Sequence, residues 1–213
     1  MNYEAKNFDN ILGLPGLSDK LLNNHLGLYA GYVANTNKLM EILEKMQKEE
    51  KMALPEYAEL KRRFDWEWNG MRLHEYYFGN LSVAPQKADE GFASVMQIKK
   101  DFGTFSDWEK DFRATAAMRG IGWVSLCFDL ATQKLFNIWI NEHDGGHLAG
   151  AQPILVMDVF EHAYMLDYGT KKADYISAFM NAVDWKVVGD RYDWATKIQD
   201  VRPKGIDHIG CRC

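Results

Sequence analysis

The sequence has no long apolar run, no excess of positive charge and few cysteines, and each of these absences excludes a class of protein. No apolar stretch reaches the length of about 18 residues that a membrane-spanning helix needs, and residues 1–9 lack the apolar core of a secretory signal. The net charge is −5, and no basic stripe of the kind that binds nucleic acid is present. We therefore expect a cytoplasmic protein that has neither a membrane nor a nucleic acid as its partner.

The three cysteines are an odd number and fall at two places in the chain. Cys127 lies in an apolar segment with the composition of a strand, where we expect a buried, unreactive thiol. Cys211 and Cys213 lie at the C-terminal end, with His208 nearby. A Cys-x-Cys pair could bind a metal, but a frayed tail is the interpretation that we favour.

The chain is rich in apolar and aromatic residues. Of its 213 residues, 47% are hydrophobic and 7 are tryptophan, which is enough to build a large aromatic core. A chain of this length forms either one compact unit or two small domains that share a core.

The first part of the chain has the hydrophobic spacing of two long helices. Ser18 is a favourable N-cap, and from residue 19 to about residue 52 apolar side chains recur at steps of three and four. Pro55 ends or restarts the helix, and the same spacing continues over residues 55–80. The two segments predict an antiparallel helical hairpin.

The hydrophobic period changes in the second half of the chain. Two β-rich segments separated by residues 131–133 predict a hairpin, and an apolar run after a Gly-rich loop predicts a third strand. Ser106 is predicted to cap the second of two short helices that precede the strands. The predicted elements are helices at 91–101 and 106–118, strands at 123–130, 134–140 and 153–158, and helices at 161–168 and 173–198.

These elements predict an α+β fold with two domains. The N-terminal antiparallel helical hairpin would occupy residues 1–88, and the polar, Pro-containing stretch at 82–90 would be the linker. A domain of helices and a small three-stranded antiparallel sheet would follow at residues 89–213 and end in a short tail.

A carboxylate and an imidazole stand four residues apart, at Asp158 and His162, where an apolar run meets a predicted helix. Two further histidines, His25 and His74, lie in the two N-terminal helices. Three imidazoles and one carboxylate leave a position for an exchangeable ligand, which is typical of a redox-active iron or manganese site rather than a closed structural zinc site. Each histidine alone could be an ordinary helix residue, so it is the joint pattern that predicts a metal site.

Four segments resemble the iron/manganese superoxide dismutase family. Residues 158–164, D-V-F-E-H-A-Y, are similar to the family's D-V-W-E-H-A-Y signature, with Phe160 in place of tryptophan. Residues 68–74 resemble the segment that carries the family's second histidine ligand, 120–123 its G-x-G-W segment, and 182–185 the L-V-N-W of its last helix. The resemblance covers nearly the whole chain, from about residue 10 to about residue 195.

The resemblance implies a function, a ligand set and a partner. One iron or manganese ion per chain, with iron slightly favoured, would be held by His25, His74, Asp158 and His162. Redox cycling of this ion would disproportionate superoxide to O₂ and hydrogen peroxide. The family also implies a homodimer, or else a tetramer. The alternative that stays open is a metal-binding relative of the same fold with low or no dismutase activity.

The resemblance also implies roles for side chains around the metal. Tyr32, two helical turns after His25 and so on the same helix face, would gate the path of the substrate. An ordinary core tyrosine is the other interpretation of this residue. Trp123 would line the pocket. Glu161 would cross a two-fold interface to a metal-ligand histidine of the partner chain.

The first departure from the family concerns a glutamine. Most members use it to hydrogen-bond the solvent ligand of the metal, from either of two positions. Here one position is Gly70 and the loop that holds the other carries His143, which we expect to take the role of the glutamine. Gly70 leaves room for a side chain that enters from the loop, which is the manganese-type arrangement. The alternatives are that His147 fills this place or that His143 is only a loop residue.

The second departure concerns the implied interface between chains. The family often has a histidine and a tyrosine that bridge the two chains, and the corresponding residues here are Leu28 and Met165. A contact between them would bury apolar surface without leaving an unpaired polar group. The expectation that the family's proton relay runs through this bridge is therefore weakened for this chain.

Overall fold

The computed structural model describes residues 2–198 and confirms the α+β prediction. Long helices form the N-terminal part, and a three-stranded antiparallel sheet with further helices forms the rest. The pair Cys211 and Cys213, with His208, lies outside the described residues. No helix within residues 2–198 combines the length and the apolar character that crossing a membrane requires.

Two long helices, α1 (Asp19–Lys48) and α2 (Pro55–Gly79), form the predicted hairpin and pack against each other. Ser18 caps α1, because its hydroxyl oxygen accepts a hydrogen bond from the N–H of Leu21 at 3.1 Å. Pro55 stands at the first turn of α2, where a backbone N–H would have no partner within the helix. Both predicted helix starts are therefore explained by their local chemistry.

One predicted cap is wrong. The helix α3 (Ala93–Phe102) is followed by α4 (Phe105–Ala116), which is capped by Thr104 and not by Ser106. Thr104 has the extended backbone that a cap requires, and its hydroxyl oxygen accepts a hydrogen bond from the N–H of Asp107 at 3.0 Å. Ser106 is already the second residue of the helix and therefore is not its cap.

The sheet has the strand order β2-β1-β3, with β1 (Gly122–Asp129) antiparallel to both β2 (Lys134–Asn141) and β3 (Ala151–Asp158). The register places Trp123 of β1 opposite Asp158, the last residue of β3. Side chains at paired positions of antiparallel strands lie on the same face of the sheet. The register therefore brings the Trp123 indole to the same place as the Asp158 carboxylate.

Gly122 is required at the start of β1. Its φ is +152°, which residues with a side chain rarely adopt, and a Cβ would lie 2.0 Å from the carbonyl oxygen of Ile140 on β2. Only glycine lets the two backbones approach this closely, at the residue directly before Trp123. The G-x-G-W segment thus positions the tryptophan through its second glycine.

The chain after β3 forms more and shorter helical elements than predicted. Val183 is extended and pairs with Leu81, the second residue after α2, in an isolated bridge, and this pairing interrupts the helix predicted at 173–198. Tertiary pairing here overrides local helix propensity. The observed elements are a 3-10 turn (Glu161–Ala163) and the short α5 (Met165–Tyr168) in place of the helix predicted at 161–168, then α6 (Lys172–Ala182) and α7 (Trp185–Ile198).

One cluster of buried apolar side chains draws on both predicted domains. It includes Leu22 of α1, Met71 of α2, Leu126 of β1 and Phe179 of α6, none of which is exposed. Cys127 of β1 is a buried free thiol, as expected, and burial raises its pKa to about 11. The division of the chain into domains near residue 88 stays a prediction.

Candidate metal centre

Three histidines and one aspartate from four separate elements meet in the interior. His25 comes from α1, His74 from α2, Asp158 from the end of β3 and His162 from the 3-10 turn that follows. One potential ligand atom from each lies within 4.8 Å of the others. We call these four residues the histidine–aspartate cluster. The structure thus brings together all four residues that the sequence predicted as ligands.

The Asp158 carboxylate is the centre of the cluster. Its Oδ2 lies 3.1 Å from Nε2 of His25 and 3.1 Å from Nε2 of His162. Nε2 of His74 lies 3.7 Å from the same oxygen. The other carboxylate oxygen, Oδ1, accepts the N–H of Phe160 at 2.8 Å, which fixes the side chain so that Oδ2 faces the three rings.

His74 carries the clearest sign that the cluster is suited to bind a cation. Its Nδ1 donates to the carbonyl oxygen of Gly70 at 2.6 Å, so Nε2 of the neutral ring carries a lone pair. This Nε2 is buried and has no hydrogen-bond partner among residues 2–198, and Nδ1 of His25 also lacks one. A buried lone pair beside a carboxylate is costly unless a cation binds between them. The donor set therefore fits an iron or manganese ion.

The charges of the cluster agree with that fit. Burial lowers the pKa of His25 and lowers the pKa of His74 well below its usual value, which keeps both rings neutral. Burial opposes ionisation of Asp158, but the charge of His162 and hydrogen bonds from His162 and His25 hold the pKa of the carboxyl well below its usual range. Although burial acts against it, the Asp158 charge raises the pKa of His162. The cluster is therefore arranged to hold positive charge next to Asp158.

His143 lies in a short hydrogen-bonded chain beside the cluster. The indole N–H of Trp123 donates to Nδ1 of His143 at 3.0 Å. Because an indole can only donate, Nδ1 accepts, and the proton of the neutral ring is on Nε2. That N–H donates to the hydroxyl oxygen of Tyr32 at 2.7 Å. Burial lowers the pKa of His143 to about 4, so the ring is neutral and both of its nitrogens are in use at pH 7.

Gly70 makes room for the ring of Tyr32 from α1, because a Cβ at Gly70 would lie 2.5 Å from Cδ1 of that ring. His143 enters from the loop and meets the hydroxyl of the same tyrosine. That His143 takes the role of the glutamine stays a prediction. His147 turns elsewhere, and its Nε2 lies 2.8 Å from the backbone oxygen of His143.

Two aromatic residues near His143 were missed by sequence reasoning. The ring of Trp66 meets the His143 ring edge to face, with centroids 4.9 Å apart. Phe160 stacks on His143 at 4.8 Å and on His162 at 5.1 Å. The four-residue steps from Trp66 to Gly70 and on to His74 place all three on one face of α2, and this spacing was the available signal.

Glu161 is not a member of the histidine–aspartate cluster, although it directly precedes His162. It is exposed and lines a surface hollow of about 690 Å³ beside His162. The same hollow is lined by Leu28 and Met165, which are 43% and 47% exposed, and by Leu166, which is 47% exposed. This apolar surface around Glu161 reaches the edge of the histidine–aspartate cluster.

Comparisons with known proteins agree on one family. Residues 90–191 match the family model described as iron/manganese superoxide dismutases, C-terminal domain. The manganese superoxide dismutase 2 of Haloferax volcanii is 33% identical over 186 residues, which cover 86% of this chain and 91% of that protein. The iron superoxide dismutase of Aquifex pyrophilus is 33% identical over 189 residues, which cover 86% of this chain and 88% of that protein. The iron superoxide dismutase of Cupriavidus metallidurans is 34% identical over 189 residues, which cover 86% of this chain and 92% of that protein. With nearly its whole described length matched and the histidine–aspartate cluster assembled, the chain belongs to the iron/manganese superoxide dismutase family.

Proposed function

We propose that the protein is a superoxide dismutase, which converts two superoxide ions and two protons into one O₂ and one hydrogen peroxide. The observation that carries the proposal is the buried histidine–aspartate cluster, in which the unpaired Nε2 of His74 faces the Asp158 carboxylate. Relatives that match most of the chain are named iron or manganese superoxide dismutases. A bound iron or manganese ion, held once per chain by His25, His74, Asp158 and His162, would supply the one-electron redox chemistry.

The protein orients these side chains and keeps water away from three of them, whereas the His162 side chain is 24% exposed. The backbone N–H of Phe160 holds the Asp158 carboxylate, and the carbonyl oxygen of Gly70 fixes the tautomer and the orientation of the His74 ring. His25, His74 and Asp158 are each no more than 1% exposed. A low-dielectric surrounding of this kind strengthens every charge interaction inside it.

Tyr32 is suited to hold and deliver the proton that peroxide formation requires. Burial raises its pKa to about 12, so the hydroxyl keeps its proton at neutral pH. Because the N–H of His143 donates to the Tyr32 oxygen, the phenolic proton remains to be donated to another acceptor. The Tyr32 ring stacks on His74 with centroids 5.1 Å apart, which keeps the hydroxyl inside the site. We assign proton delivery to Tyr32 and the support of its hydroxyl to His143.

Iron is the ion that we propose first, with manganese second. Val156, a branched apolar residue two before Asp158, is fully buried, and packing at this position is our reason for the preference. Relatives at 33% identity carry either name, so they favour neither ion. Reconstitution with each ion separately decides between them.

We propose a cytoplasmic homodimer formed by the surface around Glu161. A second copy would cover the exposed side chains of Leu28, Met165 and Leu166 beside His162, and a tetramer is the alternative assembly. Sedimentation of the purified protein measures the assembly. Met165→Asp should give monomers, whereas Met96→Asp, at an apolar residue that is 51% exposed elsewhere, should not.

The function is tested on protein that is stripped of metal and then reloaded with iron or manganese. Superoxide disproportionation with about one ion per chain supports the proposal. Asp158→Ala should lose both the ion and the activity while the helical circular dichroism signal is retained. Tight binding of both ions without activity from either would instead identify a metal-holding relative of the enzymes.

A further inference from the structure

A cleft at the surface is lined by Tyr32, whose ring stacks on His74 of the histidine–aspartate cluster. It has a volume of about 260 Å³ and runs between α1 and α2, and we call it the Tyr32 cleft. Tyr32 is the one lining residue that also contacts His74 and His143. The lining residues are Gly27, Leu28, Gly31, Tyr32, Asn35, Arg63 and Glu67.

The width of the cleft depends on two glycines of α1. Gly27 and Gly31 are four residues apart and so lie on one face of the helix. A Cβ built on either residue would meet nothing within 4 Å. Neither glycine has a φ that a side chain would find strained, so the backbone does not require glycine here. Their missing side chains leave the space through which a small solute can reach Tyr32.

The cleft has two charged lining residues, and it exposes only one of them. The Glu67 side chain is 3% exposed, and both of its oxygens are engaged: Oε1 accepts from Nε of Arg63 at 2.7 Å and Oε2 from Nδ2 of Asn35 at 3.2 Å. The Arg63 side chain is 54% exposed. A solute in the cleft can therefore contact the Arg63 guanidinium, whereas the Glu67 carboxylate that pairs with it is buried.

The Arg63 guanidinium is held in place from two sides. Its Nη2 lies 2.5 Å from Oε1 of Glu67, one turn along α2. Its Cζ lies 5.1 Å from the centroid of the Trp66 ring, and Trp66 in turn packs against His143. The cation is thus fixed to the same aromatic group that surrounds the Tyr32 hydroxyl.

Arg63 and Tyr32 line the same cleft. The neighbouring Arg62 is not among the residues that line it. It is paired with Glu59 at 3.0 Å, and both of these side chains are more than 70% exposed.

We propose that Arg63, positioned by Glu67 and Trp66, draws superoxide into the Tyr32 cleft and selects for small anions there. The inference rests on the proposed function. A chain with a net charge of −5 repels an anion at long range, so a cation that is fixed at the cleft is needed to raise the local anion concentration. Gly27 and Gly31 keep the cleft open to a small solute, and Arg63 favours solutes that are anions.

The test compares Arg63→Gln, Arg63→Lys and the matched control Arg62→Gln in the full-length, iron-loaded protein. For Arg63→Gln we expect kcat/KM at low ionic strength to fall about threefold to tenfold and its salt dependence to flatten. The dissociation constant of azide, a small univalent anion followed by the absorption of the iron, should rise by a similar factor. Arg63→Lys should restore most of both values. Arg62→Gln should change each by less than about twofold.

A second pair of variants tests the path itself. Gly31→Leu should fill the cleft and slow both turnover and azide binding, and Gly31→Ala, which adds only a methyl group to open space, should slow both less than Gly31→Leu does. Equal behaviour of Arg63→Gln and Arg62→Gln would overturn the inference. An iron-loaded wild type without dismutase activity would instead contradict the proposed function, and azide binding would still report on Arg63.

Discussion

The histidine–aspartate cluster and the Tyr32 cleft lie side by side, but the chain builds them differently. Each member of the cluster comes from a different element, and backbone groups hold Asp158 and His74 in place. The cleft depends on small residues: Gly27 and Gly31 keep it open, and Gly70 admits the Tyr32 ring. The comparison suggests that changes in the cluster decide whether an ion binds, and changes around the cleft decide how fast the bound ion is used.

The largest effect is expected from Asp158→Asn, which keeps the size of the side chain and removes its charge. Loss of this ligand should lower metal affinity by more than the 10- to 100-fold that is usual for groups behind the ligands. Elemental analysis after dialysis measures the bound ion. A variant that retains a full complement of iron would contradict the role given to Asp158.

Gly70→Ala should separate the two regions most clearly. The added Cβ would lie 2.5 Å from the Tyr32 ring, so the ring must move off His74. We expect activity to fall about tenfold or more while metal content is unchanged. The control is Gly31→Ala, for which the added methyl group meets nothing within 4 Å. Loss of metal from Gly70→Ala would mean that the Tyr32 ring supports the ligands themselves.

Tyr32→Phe should slow turnover or alter product inhibition, because the variant lacks the phenolic proton. An effect of about tenfold is expected, at the lower end of the range for removal of a group behind a ligand. Stopped-flow decay of superoxide measures it, with metal content as the control. Loss of bound metal would contradict the assignment of Tyr32 to the proton path.

His143→Gln should keep the metal and change the relative activity of the iron- and manganese-loaded forms. Glutamine has two amide N–H groups where neutral His143 has one N–H, so it can serve Tyr32 and a second acceptor together. Assays of both loaded forms give the ratio. If neither form responds, His143 does not act on the metal or on Tyr32.

A smaller effect is expected in the pH dependence of stability. The pKa of His143 is lowered from 6.5 to about 4 by burial, so the unfolded chain binds more protons between these values. Stability from the neutral ring is therefore present above pH 6.5 and is lost as the pH falls through 4. Relative to His143→Gln, metal-free wild type should lose about 3 kcal/mol of unfolding free energy across this window. Urea unfolding at each pH measures the difference, and parallel curves would contradict it.

The sequence predicted the histidine–aspartate cluster better than its surroundings. A carboxylate at the end of an apolar strand and an imidazole four residues later are local signals, and they identified Asp158 and His162. Trp66 was missed because a tryptophan in an amphipathic helix looks like one more core residue. The contact between Gly70 and the Tyr32 ring was not predicted, because the position of that ring depends on how α1 packs on α2. The helix break at Val183 likewise comes from pairing with Leu81, far away in sequence.

The long separation of the clustered residues along the chain has a consequence for how the protein acquires its ion. His25 and Asp158 are 133 residues apart and meet only after the helical hairpin has docked on the sheet. The four ligand atoms come together only when α1, α2, β3 and the turn after β3 are all in place. A chain still being synthesised has no place for the ion until β3 has paired with β1. Loading is therefore a reaction of the finished fold, and at a free-ion concentration of 100 times Kd it would add about 2.7 kcal/mol to the stability of that fold.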